Sequence, residues 1–225
     1  MTIDQIGYAL KGRFPSFFKV IEFLAGYATA LRHRRSIHKA LQEAQIEGRV
    51  LGKPALIRVL EPADLKELTA FFAALPEERM TYFRPHGFSQ RDLRQVLDRP
   101  YFIAYGLFVD GQLQGYSLFK LYPGKKVFFG RILPKNLSGC GLGKILSLYL
   151  QWQSGLLGFR MRGTINLQNL PSVGSHKAVG GFEQLGELPN GYTLIEFPPA
   201  RYPREAPKLE AVQKAPPAES ASGQN

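Results

Sequence analysis

Between residues 55 and 198 the chain alternates short apolar runs with segments whose apolar positions recur every three or four residues. Residues 56–60 form an apolar run that Glu61 and Pro62 end, and a proline there suits a first helical turn. Leu65, Leu68, Phe71, Phe72 and Leu75 follow at helical spacing up to Pro76. Ser89 and Asp92 can cap a second helix reciprocally, and that helix carries Leu93, Val96 and Leu97 until Pro100 stops it. The runs 101–109, 112–121 and 125–133 are rich in aromatic and β-branched residues. Asp110-Gly111 and Pro123-Gly124 separate them, so they read as three strands joined by hairpin turns. A helix over 145–152, a strand at 162–167, a short helix near 171–178 and two strands at 182–187 and 192–197 complete the pattern.

The flanks differ from this middle. Phe14, Phe17, Phe18, Ile21, Phe23, Leu24, Tyr27 and Leu31 make a broad apolar stripe, which Lys19 and Glu22 interrupt, so the run does not read as a membrane span. A basic cluster at 32–35 follows, then Ile37, Leu41 and Ile46 on a second predicted helix that runs out near Gly48 and Gly52. This extension, residues 1–53, has two main readings, with nucleic-acid contact as a minor third. It is a helical hairpin that packs on the remaining domain or across a homodimer, or it is an interfacial helix that contacts an anionic membrane surface through residues 14–35. Beyond 198 the Pro, Ala, Glu, Lys, Ser and Gly composition has no apolar period, so 199–225 is predicted to be a disordered tail.

Composition narrows the classes. With 225 residues, 44% of them hydrophobic, the chain can bury one good core, placed at 54–198. A single cysteine, Cys140, excludes an internal disulfide and a cysteine-built zinc site, and no metal is expected. Residues 1–10 lack the pattern of a signal peptide, so the expected location is cytoplasmic, with peripheral membrane contact as the variant reading. The formal net charge of +11 favours phosphate-bearing partners. Its cations are scattered over separate elements, and nucleic acid is not the expected partner.

The segment PKNLSGCGLGK at 134–144 joins the third central strand to the next helix. Gly139, Gly141 and Gly143 remove Cβ atoms where the backbone turns, so amide N–H groups and the positive end of a helix dipole can converge on one anion. A nucleoside-triphosphate loop fails here, because Ser138 stands where its first glycine belongs and Ile145 where its magnesium-binding hydroxyl belongs. A dinucleotide fingerprint fails on its glycine spacing and on residues 164–166, none of which is acidic. What remains resembles the Gln/Arg-x-x-Gly-x-Gly/Ala pyrophosphate loop of the GNAT acetyltransferases, with Ser138 in the Gln/Arg position. The element order is similar to that family across 55–198. Asn169, Ser172, His176, Gly181 and Phe182 resemble its signature after the fifth strand, His176 standing where Tyr is usual.

The resemblance implies an α/β (α+β) fold, a mixed and mostly antiparallel central sheet flanked by helices, here with an N-terminal helical extension. It implies an N-acyltransferase that moves an acyl group, acetyl-CoA being the default donor, to a primary amine of a small molecule by direct attack. Ser138, Gly139, Gly141, Leu142, Gly143 and Lys144 would hold the pyrophosphate. Ile132 and Leu133 would present backbone groups to the pantetheine arm, and Asn169 would contact it, or serve as a helix N-cap. The strand before the loop lacks the carboxylate that many relatives carry. His176 and His86 are therefore the candidate acid and base, each with a structural alternative, a hydrogen-bonded structural histidine near the Gly180-Gly181 turn for His176 and a rigid aromatic loop for His86. Arg84 could meet an anionic group on the acceptor, for which an amino sugar is the candidate. Cys140 lies inside the cradle and is not read as a nucleophile. The alternative function is a non-catalytic CoA-binding or membrane-associated module of the same fold.

Overall fold

The computed structural model describes residues 15–188 and 191–212, whose centre is one sheet of nine strands. Helices α1 (Pro15–Arg32) and α2 (Arg34–Gln42) precede β1 (Ile46–Val50) and β2 (Lys53–Val59). Helix α3 (Leu65–Ala74), the one-turn α4 (Glu77–Met80) and α5 (Gln90–Asp98) lead into β3 (Phe102–Val109), β4 (Gln112–Tyr122) and β5 (Lys126–Ile132). Then come α6 (Leu142–Leu157), β6 (Arg160–Ile165), α7 (Leu170–Lys177), β7 (Glu183–Glu187), β8 (Thr193–Glu196) and β9 (Leu209–Ala211). Across the sheet the order is β7, β8, β6, β5, β4, β3, β2, β1, β9. Neighbours are antiparallel except β5 with β6 and β1 with β9.

Local chemistry explains most of these elements. Asp110 (φ 55°) and Gly111 (φ 75°) both take the left-handed conformation that a two-residue hairpin turn demands. Asp64 caps the turn before α3 by accepting the Glu61 amide at 2.8 Å, and the Arg58 fork holds that carboxylate at 2.7 and 2.8 Å. Ser89 Oγ accepts the Asp92 amide at 3.2 Å and starts α5. Alternation along the strands then builds two apolar layers. Ile103, Tyr105, Leu107, Phe119 and Val127 face α6, whose Leu142, Leu146, Tyr149 and Leu150 are buried against them. Ala104, Phe108, Tyr116, Leu118 and Ile132 face α3 and α5 through Leu68, Phe72, Leu93 and Val96.

Both flanks depart from the predicted pattern. The second N-terminal helix ends at Gln42, and residues 46–50 are a strand, not a helix end. Leu51 (φ 52°) and Gly52 (φ 79°) form a second tight turn that pairs β1 with β2. The segment after 198 is ordered as far as 212, contrary to the predicted tail, while 213–225 lie outside the described residues. Tyr202 accepts the Met161 amide on its hydroxyl at 2.7 Å, and β9 pairs in parallel with β1. A Cβ on Gly48 would lie 1.9 Å from the Leu209 carbonyl oxygen, so only glycine lets β9 approach β1 this closely. The sheet therefore extends past the predicted boundaries of 54 and 198 on both sides.

Candidate active site

The parallel ladder between β5 and β6 has three pairs, Lys126 with Arg160, Val127 with Met161 and Phe128 with Arg162. Beyond them residues 129–132 and 163–165 run on without pairing to each other, while β6 stays paired to β8 as far as Ile165. The sheet thus splits at the carboxyl ends of its two central parallel strands, where open α/β sheets receive ligands. Phe129 turns its ring toward β6 at the start of the split, so that a Cβ on Gly163 would lie 2.5 Å from Cε1.

The glycine loop closes the end of this split. Gly139 (φ 82°) and Gly141 (φ 84°) are left-handed, and neither would meet an atom within 4 Å if it carried a Cβ. Their glycines serve the turn and leave open space before α6. Gly143 has a different reason: a Cβ there would lie 3.1 Å from Arg131 Nη1 and 3.5 Å from Ser175 Cβ. Gly141 is the N-cap of α6, and the amides of Lys144 and Ile145 converge on its carbonyl at 3.0 and 3.2 Å. The earlier amides of the first turn have no intrahelical acceptor, and with the dipole of a 16-residue helix they favour an anion. Ser138 and Lys144 are exposed on this loop, and Leu142 is buried.

Arg131, on β5, stands behind the loop. Its Nη2 donates to Ser175 Oγ on α7, and its buried Nε has no hydrogen-bond partner. Among the described residues no carboxylate pairs with it. Burial lowers its pKa to about 10. A half-buried cation whose Nε is sealed from solvent, with no counter-anion among the described residues and next to a helix start, is a fitting environment for a phosphate group. The sequence signal was there to read, since Arg131 is the one charge in the apolar run 127–133.

The two predicted histidines lie on opposite faces of the sheet. His176, on α7, is 2% exposed and packs against Phe129, Phe182 and Phe197 with ring centroids 5.4, 6.3 and 5.1 Å away. The Ser147 hydroxyl donates to the Gly143 carbonyl at 3.0 Å, which leaves its oxygen to accept from His176 Nδ1–H at 3.3 Å. Burial first, and the Arg131 charge second, push the His176 pKa down to about 2. The ring is neutral, enclosed and hydrogen-bonded to Ser147, the environment of a structural histidine.

His86 sits in the loop between α4 and α5. Its Nδ1 lies 2.7 Å from the Gly87 carbonyl, which accepts and so fixes the proton on Nδ1, leaving Nε2 to accept from the Tyr116 hydroxyl at 2.9 Å. Burial lowers the His86 pKa and raises that of Tyr116 well above its ordinary value. Phe72 and Phe88 wall the pair at 6.0 and 5.2 Å from the imidazole. The same loop stands on β5, where a Cβ on Gly130 would lie 3.0 Å from Phe83 and 3.7 Å from Pro85. Tyr116 pairs with Ile132 in the β4–β5 ladder, so the dyad adjoins the split. Sequence reasoning missed Tyr116, whose only signal is a phenol midway along an apolar strand. Arg84 is exposed on this loop.

Three remaining expectations meet specific contacts. The Leu133 carbonyl is taken by the Arg79 guanidinium from α4, so of the two backbone groups of Leu133 only the amide can serve a ligand. Ile132 is buried at the end of β5. Asn169 is the N-cap of α7, accepting the Ser172 amide at 3.4 Å. Cys140 is buried, its thiol donating to the Leu137 carbonyl at 3.2 Å.

Neither a family model nor a curated protein matches this sequence. Solved structures do match its shape. The GNAT domain of S. lividans PAT superposes with a TM-score of 0.60 at 13% identity, over 69% of this chain and 97% of that one. Mycobacterium smegmatis RimJ, solved in complex with CoA-disulfide, gives 0.56 at 14% identity over 72% and 90%. The spermidine N-acetyltransferase of Vibrio cholerae, solved with CoA and spermine, gives 0.52 at 16% over 63% and 92%. With the split sheet and the glycine loop at its mouth, these likenesses establish that the chain has the GNAT acetyltransferase fold.

Proposed function

We propose that the protein is an acyl-CoA-dependent N-acyltransferase, with acetyl-CoA as the default donor and the primary amine of a small molecule, such as an amino sugar, as acceptor. The observation that carries this reading is the Arg131 guanidinium, which no described carboxylate pairs and whose Nε has no hydrogen-bond partner, behind a helix start opened by Gly139 and Gly141. The residues fit the diphosphate of coenzyme A: first-turn amides of α6, the exposed Lys144 and Ser138, and Arg131 behind them. Coenzyme A would supply the activated thioester, whose carbonyl carbon gains the bond to nitrogen as the bond to sulfur breaks.

On the other face, His86 and Tyr116 handle protons. An amine must lose a proton to attack, and the neutral Nε2 of His86 is an acceptor already fixed in tautomer by Gly87. Tyr116, kept as a phenol by burial, can pass a proton along the same hydrogen bond. Arg84, exposed in this loop, suits an anionic group on the acceptor. His176 orients the first turn of α6 through Ser147 and is a positioning residue. One observation favours the second reading, a module that binds CoA without turnover: β5 carries no carboxylate.

Release of free thiol from acetyl-CoA over a panel of amino sugars, polyamines and amino acids tests the proposal. Thiol release with at least one amine is expected, and Gly141→Glu should abolish it by placing a carboxylate and a Cβ at the anion site. CoA binding without thiol release for any amine would favour the second reading. Full activity in Gly141→Glu would overturn the cradle.

A further inference from the structure

Helix α1 docks on the sheet by its small and polar side. Glu22 meets Lys120 Nζ at 2.7 Å and accepts the Tyr122 hydroxyl at 2.6 Å. Gly26 lies so close to Tyr101 that a Cβ would stand 2.7 Å from the ring. The apolar side therefore faces outward: Val20, Leu24, Tyr27 and Leu31, at helical spacing, are 55%, 60%, 39% and 71% exposed. A helix packed on a core ordinarily does the reverse. Tyr27 and Leu31 also line an apolar groove of about 530 Å³ with Ile37, Leu41 and Pro100, where Arg34, His38 and the Tyr27 phenol are the titratable members.

Charge completes the picture. Arg32, Arg34, Arg35 and Lys39 are exposed beside the stripe, and α2 contains no acidic residue. The one acid of α1, Glu22, is turned inward onto Lys120. No helix among the described residues is long and apolar enough to cross a membrane. A row of aliphatic and aromatic side chains bordered by cations that no described carboxylate pairs is the pattern of a helix lying in a lipid interface. A symmetric contact with a second copy would set this cationic patch against itself. Nucleic acid would leave the aliphatic row without a counterpart.

We propose that this face docks on an anionic lipid bilayer, with the stripe in the boundary between headgroups and acyl chains, the groove receiving an acyl chain, and the arginines on headgroup phosphates. The surface is separate from the split in the sheet, and its test does not depend on the coenzyme A reading. Flotation of the full chain with phosphatidylcholine vesicles, with and without phosphatidylglycerol, reads it directly. Binding about tenfold or more stronger to the anionic vesicles, and weakened by salt, is expected. The exposed pair Leu24→Glu and Leu31→Glu, and separately Arg34→Glu with Arg35→Glu, should each lower binding about tenfold, with circular dichroism unchanged. The proposal is overturned if the wild type ignores anionic vesicles, or if only the arginine pair matters, which would mean adsorption without insertion. It is equally overturned if the wild type does not float and sedimentation shows a dimer that the leucine variants dissociate.

Discussion

His176 and His86 place the same imidazole in two different environments, and each makes its own measurable claim. His176 is enclosed, with a pKa pushed down to about 2 by burial, whereas in the unfolded chain it returns to 6.5. Below pH 6.5 the unfolded chain takes up a proton that the folded one refuses, so stability is full above that pH and is lost as pH falls. The loss is about 1.4 kcal/mol per pH unit for one such group. Between about pH 7.5 and 5.5, urea unfolding of the wild type should therefore lose about 1.4 kcal/mol more than that of His176→Phe, whose ring suits the same aromatic surroundings. Equal losses in the two proteins would mean that the imidazole is not held neutral. The His86 pKa is lowered by burial too, and the role proposed for it is in turnover. If its neutral Nε2 accepts the proton, kcat/KM falls on the acid side with a midpoint below 6.5, the ordinary histidine value. His86→Gln should reduce kcat about 100-fold and remove that limb. An acid limb that persists in His86→Gln would assign it to another group.

At the scale of elements, the β1–β9 pair rests on Gly48, where any side chain would run into the Leu209 carbonyl. Gly48→Val should eject β9 and cost about 1–3 kcal/mol of stability in urea unfolding. The same substitution in a chain ending at residue 207 should cost nothing further, because the strand it displaces is gone. A full additional cost would place the strain elsewhere. These two strands also mark where the sequence stopped being legible. Gly48 and Gly52 carry the signals of a helix end, yet here one admits a neighbouring backbone and the other makes a turn. Three pairing residues inside a proline-rich stretch gave β9 no period to detect. By contrast, the Asp110-Gly111 turn, the Ser89 cap and the left-handed Gly139 and Gly141 were readable, because each is decided within a few residues of itself. The His86–Tyr116 dyad, 30 positions apart, and the outward stripe of α1 are decided by packing partners that no local pattern names.

For the molecule as a whole, part of the excess of positive charge gathers in two places, each of which carries one of the proposals above. One part surrounds the mouth of the split sheet, in Arg131, Lys144 and the first turn of α6. Another part borders the apolar stripe of α1 and α2, away from that mouth. The central claim concerns the first, and isothermal calorimetry with coenzyme A and with pantetheine, which lacks the diphosphate, tests it most directly. The wild type should bind coenzyme A in about the micromolar to millimolar range and pantetheine more weakly. Arg131→Met should weaken coenzyme A by about tenfold or more while leaving pantetheine unchanged, with little loss of folding stability, since the hydrogen bond to Ser175 is given up together with a half-buried charge that no described carboxylate pairs. No heat of binding from folded wild-type protein with coenzyme A, or an equal loss of both ligands in Arg131→Met, would contradict the account.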